Sequence, residues 1–325
     1  MSKSIDRKRL ELLAPAGDFE CAKVAIRAGA DAIYMGGVKY GARAFAKSTT
    51  DNSLVDTIKY VKENNKKLYL TVNTLLKEKE LGEIFLYIDP IANLGIDAFI
   101  VADLGVAKIL KEKYKDINIH ASTQMTITSS KAINLLKPMG FSKFILAREL
   151  SLKEIREIRK EIGDEVELEV FVHGSMCYSY SGACLMSSFI GGESGNRGRC
   201  KGPCRLPYSI DKNRSRNEKY LLSMKDMCAI ENVKSLIVAG VNSFKIEGRM
   251  RKPEYVEGVT KIYRKYIDES IRQIENDDSA DKDVYNTKII ENDKKYLLSL
   301  YNKGGFTNYF DKHNGKDMIQ LYERK

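Results

Sequence analysis

One phrase recurs along the chain: AGADAIYMGG at 28–37, LGIDAFIVAD at 94–103, MGFSKFILAR at 139–148 and AGVNSFKIEG at 239–248. Each reads as a helix stopped by glycine that feeds directly into a short apolar strand. A chain that keeps returning a helix to a new strand has few folds open to it, because parallel strands need crossover helices that cover the sheet. Eight apolar runs carry the pattern: LELLAPAG at 10–17, AIYMGG at 32–37, KLYLTVN at 67–73, AFIVAD at 98–103, NIHAST at 118–123, FILARE at 144–149, VELEVFVHG at 166–174 and SFKIEGR at 243–249. Amphipathic segments fill the intervals, among them DFECAKVAIRAG with Asp18 placed as N-cap and SLKEIREIRKEIG with Ser151. Eight strands with intervening helices predict an α/β fold of the (β/α)8 TIM-like barrel type, and the recurrence of the phrase favours it over a doubly wound open sheet.

A length of 325 residues suits one main domain of this kind. The barrel is expected over 8–275, followed at 276–325 by an acidic connector and a short C-terminal tail. About 70 residues separate the seventh and eighth strands, where a βα loop needs only a few. That interval holds a cysteine-rich insertion at 175–225, whose 206–223 portion reads as a β-hairpin around the polar turn DKNRSRNE. A helix is expected to resume over 226–239.

Within the insertion, Cys177, Cys184, Cys200 and Cys204 fall inside 28 residues, spaced C-x6-C-x15-C-x3-C among glycines and hydroxyl residues. Such a cluster suits a metal centre, and loose, unequal spacing suits a 4Fe-4S cluster better than the paired C-x2-C knuckles of structural zinc. Four thiolates also satisfy tetrahedral zinc, so the pattern alone leaves the metal open. Disulfides would need an oxidising compartment, and the start MSKSIDRKRLELLAPAG has no apolar segment of a secretory signal. Cys21 and Cys228 sit in helical patterns and are expected as buried free thiols, Cys228 doubling as a replacement fourth ligand.

No run of about 18 uncharged apolar residues is long enough to span a bilayer, so the expected location is cytoplasmic, with no membrane partner. Lys and Arg number 54 against 44 Asp and Glu, a formal net charge of +10 that favours a polyanionic partner such as RNA. Most of these lysines interleave with acids on helix faces. The more specific segment is RGRCKGPCR, where Arg197, Arg199, Lys201 and Arg205 surround cysteines, either to balance an anionic cluster or to dock an anionic substrate.

In such a barrel the strand C-termini converge on one mouth, which makes strand-end residues candidates by position. His173, directly before GSMC, and the pair Lys245 and Glu247 are the candidate catalytic groups, suited to moving protons. Asn73, His120, Gln124, Arg148 and Arg249 lie at other strand ends and Arg43 in YGARAFA, as candidate substrate-binding residues. The three arginines suit bidentate grips on carboxylates. No P-loop, HExxH helix, nucleophile elbow or dinucleotide fingerprint occurs. Ser175 and Ser179 near His173 suggest a hydrolase, but the local sequence offers no carboxylate to orient the histidine.

The segments ELLAPAGDFECAKVAIRAGADAIYMGG, LEVFVHGSMCYSYSGACLMSSFIGGESGNRGRCKGPCR, SMKDMC and FKIEGRMRKPEYV resemble the collagenase-like peptidase family U-32. The likeness runs from about residue 10 to 310, and its most specific core is E-x-F-x-x-G-S-M-C-x6-C. The better understood members imply oxygen-independent hydroxylation. Their substrates are a tRNA wobble uridine converted to 5-hydroxyuridine with prephenate as donor, a cytidine of 23S ribosomal RNA, and an intermediate of ubiquinone synthesis. By that resemblance Cys177, Cys184 and Cys200 match cluster ligands, with Cys204 added from proximity. Prephenate is a dicarboxylate, which suits Arg43, Arg148 and Arg249. The ending CKGPCR is nearer to the tRNA-hydroxylating members, many of which continue into a further C-terminal domain where this sequence stops at Lys325. The barrel is therefore expected to bind RNA unaided or with a homologous partner subunit, or to take a smaller substrate. The resulting expectation is an iron-sulfur enzyme that hydroxylates RNA, with a peptidase or a non-catalytic partner in a hydroxylase complex as alternatives.

Overall fold

The computed structural model describes residues 10–36, 40–41, 51–209, 219–276, 285–307, 309–310 and 315–320. Ten strands share one sheet: β1 (Glu11–Pro15), β2 (Ala32–Gly36), β3 (Lys67–Val72), β4 (Ala98–Val101), β5 (Asn118–Ala121), β6 (Phe141–Ile145), β7 (Glu167–Gly174), β8 (Asp226–Cys228), β9 (Ser243–Ile246) and β10 (Phe306–Thr307). β1 to β7 pair in parallel in sequence order, and β9 closes the ring by pairing with both β1 and β7. The expected eight-stranded parallel barrel surrounded by helices is the observed one.

The repeated phrase closes each unit by the same device. Gly29, Gly95, Gly140 and Gly240 have φ of 99°, 89°, 92° and 85°, a left-handed turn that a Cβ would penalise. Two residues later Asp31, Asp97 and Asn242 accept the backbone N–H of Leu12, Leu68 and Leu168 at 2.9, 2.8 and 3.0 Å. Each bond ties the foot of a new strand to the strand before it. The helices then bury one stripe apiece. In Leu152–Ile162, capped by Ser151 and Glu154, the stripe is Ile155, Ile158 and Ile162, each contributing roughly 1.5–3 kcal/mol by leaving water. Asp18 caps Phe19–Arg27 by accepting from the Cys21 N–H at 2.8 Å. The long helix Pro253–Glu275 lies across Phe19–Arg27 and Val233–Val238 on the outer wall.

The barrel axis departs from the usual aliphatic filling. Lys143 Nζ donates to Glu11 Oε1 at 2.7 Å, Ser243 Oγ donates to Glu11 at 2.9 Å and to Glu169 at 3.1 Å, and Lys245 Nζ donates to Glu169 at 2.7 Å. Tyr69 hydroxyl completes the Glu11 cage. Burial raises the Glu11 pKa, but Lys143 and Tyr69 outweigh it and hold the carboxyl below its ordinary value. Lys245 goes the other way, because burial lowers its pKa more than Glu169 restores it.

Two expectations are corrected. The stretch 226–239 is not one helix: Asp226–Cys228 is strand β8, and the helix starts only at Val233. The cause is visible in β7, which is eight residues long but pairs with β6 only through Glu169, so its upper edge is left for β8 to fill antiparallel at His173 and Gly174. β10, from the tail, then adds to β8. The predicted hairpin has its arms paired at Tyr208 and Lys219 by backbone bonds of 2.9 and 3.0 Å, while most of its turn lies outside the described residues. Among the described residues no helix is long and apolar enough to cross a membrane.

Candidate active site

At the C-terminal end of the barrel the strands and the cysteine segment enclose a cavity of about 260 Å3. Its floor comes from strand ends and the residues just past them: Tyr34, Thr71, Asn73, Arg148, Phe171, Lys245, Glu247 and Arg249. Its roof comes from the insertion, including Cys177, Cys184, Cys200 and Cys204. All four cysteines that the spacing singled out therefore face one space.

The roof is fastened to the barrel by polar contacts that the loop sequence supplies. Ser181 donates its N–H to Glu149 at 3.0 Å and its hydroxyl at 3.1 Å, and Arg148 donates its N–H to Ser181 Oγ at 3.4 Å. Gly182, at φ 77°, rests on Gln124, whose carbonyl oxygen would stand 2.2 Å from an added Cβ. Arg197 clamps Glu80 and the Leu75 carbonyl, and its guanidinium hydrogen bonds hold the Glu80 carboxyl down at about 2. Arg205 donates to Ser223 Oγ at 3.1 Å and to the Met224 and Met176 carbonyls. Two of the four cations in RGRCKGPCR are thus structural clamps. Arg199 and Lys201 are the exposed pair.

Among the thiols, Cys200 Sγ accepts from the Gly202 N–H at 3.3 Å, and Arg148 Nη1 points at Cys177 Sγ from 3.8 Å. Burial raises the Cys204 pKa and Cys177 and Cys200 add to the rise, opposed by Arg205. Four soft donors on one wall fit an iron-sulfur cluster or zinc in their chemistry. They are not drawn together into a cage, since no three His, Cys, Asp or Glu side chains among the described residues form a metal-holding group. Cys21 and Cys228 are buried free thiols as expected, pushed up to about 12 and about 11 by burial. Cys228 sits opposite His173 in the β7–β8 pair and does not line the cavity, whereas Cys204 does.

The floor groups are tightly placed. Arg148 stacks on Phe171 at 4.1 Å and reaches Glu247 Oε2 at 3.5 Å with Nη2. Arg249 donates to Thr71 Oγ1 at 2.7 Å, Asn73 to Ser122 Oγ at 3.1 Å, and the Lys245 ammonium lies 4.4 Å from the centre of the Tyr34 ring. Tyr34 and Phe171 were missed in the sequence because an aromatic residue inside a strand reads first as core. Gln124 lines the cavity through the turn after β5.

Two expected site residues lie elsewhere. The register of β7 against β9 shifts between Phe171 and His173, and a bulge of this kind re-aims side chains. Phe171 enters the cavity, while His173 packs 5.5, 6.0 and 5.3 Å from the rings of Tyr263, Tyr255 and Phe306. Its Nδ1 stands 3.3 Å from the Tyr263 hydroxyl, and burial lowers its pKa to about 3. Such a histidine is a neutral structural group rather than the expected catalytic one. His120 faces a second cavity, about 300 Å3, at the strand-start end with Lys67, Asn118 and Lys143. It therefore does not meet a substrate at the mouth. Arg43 lies outside the described residues.

A closed (β/α)8 barrel whose mouth is roofed by four cysteines and floored by arginine, lysine and glutamate defines the class. The chain belongs to peptidase family U32, whose family model matches residues 17–320. It is 38% identical over 97% of its length to an uncharacterized protease of Methanocaldococcus jannaschii, covering 76% of that protein. It is 40% identical over 83% of its length to the 23S rRNA 5-hydroxycytidine C2501 synthase of Escherichia coli, but spans only 41% of that enzyme. A tRNA hydroxylation protein P1 of Bacillus subtilis is 33% identical over 84% of this chain and 67% of its own length.

Proposed function

We propose that this protein hydroxylates a pyrimidine base of RNA without molecular oxygen, using the mouth cavity as the reaction site. The observation that carries the reading is the joint placement of four cysteines with Arg148, Arg249, Lys245 and Glu247 on one cavity. Relatives named for hydroxylating tRNA and ribosomal RNA give the reaction class. Within that class the reading is 5-hydroxyuridine formation at the tRNA wobble position, with prephenate as hydroxyl donor.

Replacing a ring C–H by C–O–H withdraws two electrons from the base, so without oxygen the site needs a redox group. A 4Fe-4S cluster on Cys177, Cys184, Cys200 and Cys204 would relay those two electrons one at a time to an external electron acceptor, which the reaction requires besides the hydroxyl donor. The remaining tasks fall to the chain's own side chains. Arg148 and Arg249, at the cavity floor, supply donors for the carboxylates of an anionic donor molecule. Glu247 lines the same floor and in this reading takes the proton that leaves the ring carbon. Lys245, aimed by Glu169 at 2.7 Å, stabilises negative charge as it develops beside it.

The peptidase implied by the family name has no such support at His173, whose ring meets Tyr255, Tyr263 and Phe306 rather than an orienting carboxylate among the described residues. The test is nucleoside mass spectrometry of tRNA and ribosomal RNA from a deletion strain. One hydroxylated pyrimidine should disappear, return with the wild-type gene, and stay absent with Cys177→Ser. An unchanged nucleoside set would overturn the reading.

A further inference from the structure

Six of the fifteen exposed large hydrophobic side chains among the described residues fall between Tyr178 and Leu206. Single exposed apolar residues need no explanation, but this concentration on the roof of the mouth cavity does. Phe189 is 84% exposed on the short helix Met186–Gly191, beside Ile190 at 60%. Tyr178 and Tyr180, more than half exposed, also line the cavity and so stand at its rim.

The backbone under these rings is pinned. Lys201 donates its N–H to Ser187 Oγ at 2.9 Å and its ammonium to the Gly191 carbonyl at 3.2 Å, which holds the loop segment carrying Arg199 and Lys201 against the Phe189 helix. The Phe189 ring and these cations therefore share one ledge of the roof. Arg199 meets Glu193 at 3.6 Å and still leaves most of its side chain in water. Exposed aromatics interleaved with exposed cations, on a chain of net charge +10, complement a single-stranded nucleic acid: the rings supply stacking surfaces and the cations meet phosphates. The cavity behind the tyrosines, about 260 Å3, lies below the usual range for drug-sized ligands, so RNA would enter it one base at a time. A base inside a duplex cannot reach such a pocket without leaving its stack.

Resting on the RNA reading above, we infer that this ledge grips single-stranded RNA. Tyr178 and Tyr180 flank one base turned into the cavity, Phe189 stacks a neighbouring base, and Arg199 and Lys201 hold the phosphates between them. The substrate class is thus an unpaired loop or strand, not a duplex.

The test is fluorescence anisotropy of the full chain with a short labelled oligouridylate and with an RNA duplex of equal length. The single strand should bind tighter. Phe189→Ala and Tyr180→Ala should each weaken it roughly 5- to 100-fold with unchanged melting temperature, while Phe189→Trp retains it. Lys201→Gln should lower the salt slope of binding by about 0.7. Unchanged binding in both alanine variants, or equal affinity for the duplex, overturns the inference. A Phe189→Ala variant that only converts a dimer to a monomer in sedimentation assigns the ledge to a second copy and also overturns it. The two proposals fail separately: if the hydroxylation reading is wrong, the deletion strain keeps every nucleoside while the variants still lose oligouridylate. If only the ledge is misassigned, hydroxylation and binding both survive Phe189→Ala.

Discussion

Arg148 connects the cavity's two chemistries, with Nη1 3.8 Å from Cys177 Sγ and Nη2 3.5 Å from Glu247 Oε2. The guanidinium reaches both a roof cysteine and a floor carboxylate. A single side chain thus spans from the cysteine roof to the carboxylate on the floor.

Arg148→Met keeps the packing on Phe171 and removes the charge. Hydrogen bonds to charged groups are worth about 1.5–3 kcal/mol, so RNA hydroxylation should fall about 10- to 150-fold. Nucleoside mass spectrometry of RNA treated with the variant checks it, with thermal melting as the folding control.

Cys204 and Cys228 should separate cleanly. Cys204→Ser is expected to lower bound iron and acid-labile sulfide. Cys228→Ala should leave both unchanged and cost about 1 kcal/mol of stability as a small core truncation. Metal analysis of anaerobically purified variants, beside urea denaturation, reads both effects.

The buried pair of Glu11 and Lys143 predicts a non-additive response. Lys143→Met alone leaves Glu11 ionised inside the barrel and should cost about 3–5 kcal/mol. Adding Glu11→Gln should restore much of that loss, which urea midpoints of the two single variants and the double variant would measure.

Stability should fall in mild acid because of the histidines. His173 is held near 3 by burial, against an ordinary value of 6.5, and His120 is also lowered, by burial and then by Lys143 and Lys245. Below pH 6.5 the unfolded chain binds protons that the folded chain refuses. Stability from each is complete above that pH and drops by about 1.4 kcal/mol per unit beneath it, for His173 until about pH 3. His173→Phe should remove about one proton from the slope of unfolding free energy between pH 6 and about 4. An unchanged slope would contradict the burial account.

The barrel was legible because the helix-to-strand phrase at Gly29, Gly95, Gly140 and Gly240 carries its own backbone geometry, written in residue types. The cysteine roof was legible because thiols rarely cluster without a purpose. Side-chain direction was not legible. His173 and His120 were placed at the mouth because they stand near strand ends, whereas a register shift in one strand and a long axial network beside the other turn them away. Glu11, Lys143 and Glu169 went unremarked, since a charge in a strand reads as outward until its partners on distant strands are known. β8, three residues of DMC, carries too little pattern to stand out from the helix after it.

The most direct test of the central claim is hydroxylation by the purified protein itself. The full chain, purified anaerobically and loaded with iron and sulfide, would be given RNA from a deletion strain together with prephenate and a soluble electron acceptor, and one pyrimidine nucleoside followed by mass spectrometry. The account predicts one added oxygen on that nucleoside under strict anaerobiosis, lost with Cys177→Ser. Equal product from Cys177→Ser, or no product from protein carrying its full iron and sulfide, would contradict it.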